Sequence, residues 1–344
     1  MAITRLAQMG FESNGTDSLS EMSGSTGSPT ISDVYPKTGT YSLRLAPSAI
    51  NSWAYYTLPL ATRQIQVGFH LRSAGGMSAD NTLFAARAAA ADLFTINADN
   101  AGNITLWVGG SQKDIKAGLF PMADYAHFGI DFKIHSSAGW VTVYKDGVSY
   151  LTFAGNTGNA DIATLRFGNQ LTSLLNNWNY YDDVIICDST GEAAAAVVSD
   201  VRFSWLQAET GAAQHNAWTG SDGNSVDNYA LVDDRPHTTD TDYIEATATD
   251  LLNTVQLATM SIPVGMSIKA LIPTAYAKKT DGGVDTHIAM VMYGAATLVT
   301  GADQELATSY IPMQERFVAK PGGGAWDQAA LDALQVGVKS RGSY

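Results

Sequence analysis

Cysteine is nearly absent from this sequence: Cys187 is the single one among 344 residues. An intramolecular disulfide and a thiolate zinc cluster are both excluded, and assembly in a reducing cytosol fits. Charge is sparse as well, with 15% Asp, Glu, Lys and Arg, and only 20 basic residues stand against 33 acidic ones. A net charge of −13 repels a phosphate backbone, so nucleic acid is not an expected partner. Nowhere are there the roughly 18 consecutive apolar residues that a bilayer span requires. The opening MAITRLAQMGFES also lacks the apolar core of a signal peptide. The expectation is a soluble, non-exported chain with no membrane insertion.

Chemical motifs are missing too. The histidines at 70, 127, 135, 215, 237 and 287 show no HExxH or other close metal spacing, and neither a Gly-x-Ser-x-Gly elbow nor a Gly-rich phosphate loop is present. No catalytic residues are assigned and no cofactor is expected, calcium being the one exception considered below.

What the chain does contain is period-two alternation, the signature of half-buried strands. Ile65, Val67, Phe69 and Leu71 interleave with Gln66, Gly68, His70 and Arg72, which predicts a strand over 64–72. Phe128, Ile130, Phe132 and Ile134 repeat the pattern, and so do Ile104, Leu106 and Val108. His70 and His135 fall on polar rows, where exposed side chains are expected. Asp146-Gly147 supplies the positive φ angles of a tight hairpin turn. The Ala-rich run 85–91 reads as strand and turn. No long amphipathic helix is found, so antiparallel sheets packed face to face are the natural solution.

A weakly patterned segment after Val184-Ile185-Ile186-Cys187 places a domain junction near 190–199. The expected fold is all-β, two antiparallel β-sandwich (jelly-roll) domains in tandem over 1–192 and 199–344. In the second half Val201, Phe203 and Trp205 alternate, as do Ile268 to Tyr276 and then Ile288, Met290 and Met292. Asp327 can cap one short helix over 328–334, with Trp326, Ala330 and Leu334 on one face. Val336 and Val338 then close as a strand.

Gly10-Phe11-Glu12, Lys37-Thr38-Gly39-Thr40-Tyr41-Ser42-Leu43-Arg44-Leu45, Val143 to Val148 and Tyr181-Asp182-Asp183-Val184-Ile185-Ile186 come in an order that resembles a concanavalin A-like, laminin G-like jelly roll over roughly residues 1–190. Asp233-Asp234-Arg235-Pro236, Asp242-Tyr243-Ile244 and the stretch from Ala325-Trp326-Asp327 to Gly337-Val338-Lys339 are similar to the tail half of many bacteriophage virion proteins. The resemblance implies a structural component located in the virion and assembled in the host cytoplasm. Its partners would be other virion proteins and copies of itself, with a trimer the first expectation because phage fibres are built so.

Glycosidases on this scaffold need two carboxylates projecting from one face about 5 Å apart. Every-second-residue counting from Asp182 to Asp188 gives no adjacent pair on either face, so Asp182 and Asp183 are expected to anchor a strand end. Calcium is the ion best suited to the oxygen-rich segments with Asp222, Asn224 and Asp227 and with Asp240 and Asp242, although Asx-rich turns account for such segments most of the time. A host glycan would find alternating amides and rings at Asn177, Trp178 and Tyr180. Three function classes follow: a virion structural protein, a receptor-binding fibre that holds host glycan, and a glycoside hydrolase. One sandwich supports all three.

Overall fold

Alternating rows become strands almost throughout the computed structural model. It describes all residues except 1–4, 12–21, 46–50, 75–80, 100, 119–122, 171–177, 189–203, 205, 211–214, 235–239, 281–285 and 343–344. With 55% strand and 3% helix, the protein is all-β. The chain divides into two compact units, Met1–Trp205 and Leu206–Tyr344. That division falls a little beyond the 190–199 junction read from the sequence.

In the first unit the strands are β1 (Arg5–Met9), β2 (Gly24–Thr26), β3 (Thr30–Ser32), β4 (Ser42–Leu45) and β5 (Asn51–Thr62). Then come β6 (Gln64–Ala74), β7 (Asn81–Arg87), β8 (Asp92–Ala98), β9 (Ile104–Val108) and β10 (Ser111–Lys116). The last five are β11 (Ala126–Lys133), β12 (Gly139–Lys145), β13 (Val148–Gly155), β14 (Ile162–Gln170) and β15 (Trp178–Asp188). One sheet has the order β13-β12-β11-β6-β15-β4-β3, with β1 also on β15; the other has the order β10-β9-β8-β7-β14-β5-β2. All pairings between strands are antiparallel, as a jelly-roll sandwich requires.

The inward rows of both sheets make a single core. Phe69 and Phe128 of the first sheet stack with centroids 5.8 Å apart, Phe69 meets Phe167 of the second edge-on at 5.6 Å, and Phe94 meets Phe132 at 4.7 Å. Each such ring, once fully buried, contributes about 1.5–3 kcal/mol of transfer free energy. The hairpin between β12 and β13 turns on Asp146 (φ 49°) and Gly147 (φ 80°), as its sequence predicts.

The second unit contains β16 (Ala208–Thr210), β17 (Thr219–Gly220), β18 (Ile244–Glu245), β19 (Leu252–Leu257), β20 (Thr274–Ala277), β21 (His287–Gly294), β22 (Thr297–Glu305), β23 (Ile311–Gln314) and β24 (Gln335–Arg341). Its main sheet is five-stranded, β16-β19-β24-β21-β22, accompanied by the ribbons β17-β18 and β20-β23. Ile288, Met290 and Met292 of β21 join Trp218, Phe317, Trp326 and Leu334 in a core of its own. Helix α1 (Gln328–Asp332) begins where expected, with Asp327 accepting the Ala330 N–H at 2.8 Å. The alternation from Ile268 yields a strand only from Thr274, because Pro273 lacks the N–H that a ladder needs. The row Val201, Phe203 and Trp205 lies outside the described residues.

Candidate functional site

Among the described residues, the densest collection of buried titratable groups lies on the outward face of the first sheet. Its origin is a change of partner. Strand β15 pairs with β4 through Asn179–Tyr181 and with β1 through Val184–Cys187. Between the two, its register against β6 shifts from Asp182↔His70 to Ile185↔Gly68. Asp183 takes φ 50°, a left-handed conformation that absorbs the one extra residue of the bulge. The simple alternation counted along 182–188 therefore fails here, and both carboxyls approach the same loop.

That loop is the segment 35–38 ahead of β4. Asp182 Oδ2 accepts the Lys37 N–H at 2.7 Å and the Thr38 N–H at 3.2 Å, while its Oδ1 accepts the Asp183 N–H at 2.7 Å. The Thr38 hydroxyl donates to Asp183 Oδ1 at 2.6 Å, and Asp183 Oδ2 faces His70 Nδ1 at 3.2 Å. His127 pairs across from His70, with ring centroids 5.1 Å apart. Tyr125 and Ser42 both donate to the Tyr35 carbonyl, and Arg72 lies 3.6 Å over the Tyr35 ring. This packing leaves His70, His127, Asp182 and Asp183 at most 3% exposed.

His70 is thus a correction to the exposed position expected of it. Its row is polar, but Tyr125, His127 and the 35–38 loop cover that row; His135, farther along, stays half-exposed. Burial, followed by the charge of Asp183, pushes the Asp182 pKa up to about 8, against the pull of three backbone N–H donors. Asp131 on β11 is also raised by burial, opposed by polar contact with Gln66 and Trp140.

Chemically, this cluster can latch a loop. Three of the four oxygens of the Asp182–Asp183 pair accept hydrogen bonds within the protein and the fourth lies 3.2 Å from His70 Nδ1, and both carboxyls are buried, so this pair is not presented to a glycosidic bond in the way that acid and nucleophile must be. The role expected of both aspartates was anchoring a strand end; the structure has them anchoring a loop at a mid-strand bulge. His70, His127 and Tyr125 were missed by sequence reasoning. Their only signal is cross-strand register, which appears once β6, β11 and β15 are paired.

The residues read as a glycan patch have other work. Asn177 lies outside the described residues. Trp178 carries the Arg44 guanidinium 3.4 Å from its ring centroid, and Tyr180, 2% exposed, meets Tyr35 edge-on at 5.1 Å. The calcium candidates have local partners. Asp222 Oδ1 accepts the Asn224 N–H at 3.1 Å and Asn224 Oδ1 accepts the Val226 N–H at 2.7 Å, both local turns. Asp227 precedes a 3-10 turn, Asn228–Leu231, without capping it. Asp240 pairs with Lys278 and accepts the Tyr310 hydroxyl at 3.2 Å. Among the described residues no three His, Cys, Asp or Glu side chains, Asp242 included, are placed to hold a metal ion.

No family model and no curated protein matches the chain. Among solved structures it is similar to domain 4 of AbnA, a GH43 extracellular arabinanase from Geobacillus stearothermophilus, in complex with arabinotriose (16% identity, TM-score 0.40, 58% of this chain and 100% of that one). A Bacillus subtilis protein of unknown function with a galectin-like fold is similar at 12% identity and TM-score 0.38, over 54% of this chain and 97% of that one. The binding domain of botulinum neurotoxin DC, in complex with rat synaptotagmin II, is similar at 12% and 0.42, over 88% and 78%.

Proposed function

We propose that this protein is a non-enzymatic structural subunit of a bacteriophage particle, contacting copies of itself and other virion proteins. The particle assignment is supported by the resemblance of Asp233-Asp234-Arg235-Pro236, Asp242-Tyr243-Ile244 and the stretch from Ala325-Trp326-Asp327 to Gly337-Val338-Lys339 to the tail half of bacteriophage virion proteins. The observation that carries the non-catalytic half is the engagement of Asp182 and Asp183. This carboxyl pair, buried from solvent, is occupied in holding Lys37 and Thr38.

Mass spectrometry of gradient-purified virions tests the reading, with this chain expected at many copies per particle. Its absence from virions overturns the particle assignment. Hydrolysis of a capsular or cell-wall glycan, abolished by Asp182→Asn, overturns the non-catalytic half.

A further inference from the structure

The outward face of the second sheet carries an arrangement that the latch and the core do not use. Cross-strand pairing lines up a single row, Gly24–Tyr55–Arg166–Ala85–Thr95–Trp107–Gln112, across all seven strands. The neighbours of this row along the strands, Phe84, Phe94, Ile96 and Phe167, point into the core, so the row itself faces outward.

Aromatic rings stand toward its two ends and small side chains in its middle. Trp107 donates from Nε1 to Thr105 Oγ1 at 3.0 Å, two residues along the same face, so its indole lies along the strand. Tyr55 lies over Gly24, where any Cβ would collide with its ring. Between them, Ala85 and Thr95 make a low floor.

Arg166 is the distinctive group. Its guanidinium sits 4.3 Å from the Trp53 ring centroid, and it has no carboxylate partner among the described residues. Arg87, one position over on β7, is already paired with Asp92. Burial, followed by the Arg87 charge, lowers the pKa of Arg166, with Asp92 and Tyr55 opposing the shift. Asn97 Oδ1, on the same face beside Thr105, is buried without a hydrogen-bond partner. Arg166 and Trp107 are three strand spacings apart, roughly 14 Å at about 4.8 Å per spacing.

We propose that this face binds a carboxylated oligosaccharide, its carboxylate on Arg166 and a sugar ring on Trp107. A guanidinium fork matches a carboxylate in bidentate fashion. Indole faces take up the C–H side of a ring, and the Thr95 hydroxyl meets the ligand's hydroxyl groups. The site is independent of whether the protein belongs to a particle.

Titration of the full chain with tetragalacturonate and, separately, with sialyllactose, followed by tryptophan fluorescence and calorimetry, tests it; maltotetraose serves as the neutral control. Saturable binding is expected for at least one acidic probe, at least about tenfold tighter than for maltotetraose. The probe that binds says whether the carboxylate belongs to a uronic or a sialic acid. Arg166→Gln and Trp107→Ala should each weaken binding about tenfold or more with unchanged circular dichroism. Should either variant fail to fold, Thr95→Glu, which sets a negative charge on the floor, should abolish binding of the acidic probe. The proposal is overturned if neither acidic probe binds at millimolar concentration, if maltotetraose binds as tightly, or if folded variants bind like the wild type.

Discussion

The Lys37 N–H donates to Asp182 Oδ2 at 2.7 Å across 145 residues of sequence, and the same oxygen receives the Thr38 N–H. The bond closes the place where β15 leaves β4 and has not yet reached β1. A strand that changes neighbour exposes backbone donors at the gap, and buried donors need partners. Asp182 supplies one from the side chain.

Removing that acceptor leaves three backbone N–H groups, those of Lys37, Thr38 and Asp183, without their partner. Asp182→Ala should therefore destabilise the first unit by about 2–4 kcal/mol, each orphaned donor costing about 1–3 kcal/mol with partial relaxation. Asp182→Asn should cost less, because the amide keeps one carbonyl oxygen. Chemical denaturation followed by intrinsic fluorescence orders the three proteins, and a variant as stable as the wild type would show the latch to be dispensable.

The raised pKa of Asp182 fixes the sign of a pH effect. Its folded value, about 8, lies above the ordinary 3.8, so the folded protein holds this proton more tightly than the unfolded chain does. The resulting stabilisation is fully present below the unfolded value and is lost as pH rises through the folded one. Asn cannot titrate. The advantage of wild type over Asp182→Asn in melting temperature should therefore be larger at pH 5 than at pH 8.5; an advantage that grows with pH would contradict the assignment.

Much of this fold is legible in the sequence because each inward row is apolar without interruption. Ile65 to Leu71 and Phe128 to Ile134 alternate cleanly, and Asp146-Gly147 can hardly be anything but a hairpin turn. The 182–185 bulge is not legible, since period-two counting assumes unbroken pairing and Asp183 breaks it with a positive φ. The burial of His70 was hidden for a related reason: a polar row reads as solvent-facing until a loop from elsewhere covers it. Likewise, the unpaired state of Arg166 depends on which strands flank β14, and neighbours in a sheet are not neighbours in sequence.

Calcium should have no effect on the second unit. Asp222 and Asn224 are committed to their own turns and Asp240 to Lys278, so binding would have to break these contacts before making new ones. Melting curves recorded with millimolar calcium chloride and with chelator are expected to superimpose. A reproducible upward shift that disappears in Asp222→Ala would restore the cation site.

Two glycines allow the two units to be tested separately. Gly168 on β14 has φ 116°, and a Cβ there would lie 2.7 Å from Ser52 O and 3.2 Å from Trp53 Cα while colliding with Leu45. Gly337 on β24 faces the backbone of β19 so closely that a Cβ would strike the Asn253 carbonyl. In both cases the obstruction is backbone, which cannot rotate out of the way as a side-chain tip can. Gly168→Ala and Gly337→Ala should each cost more than about 2 kcal/mol, adding overpacking to any backbone strain. Because Gly168 belongs to the core around Phe69 and Gly337 to the sheet behind Met290 and Met292, the two losses should fall on different parts of the melt. Calorimetry with hydrogen exchange should find amides of β6, β14 and β15 deprotected by the first substitution, and those of β19, β21 and β24 by the second. If either substitution deprotected both sets equally, the units would unfold as one, and the division at Trp205 and Leu206 would have no energetic meaning.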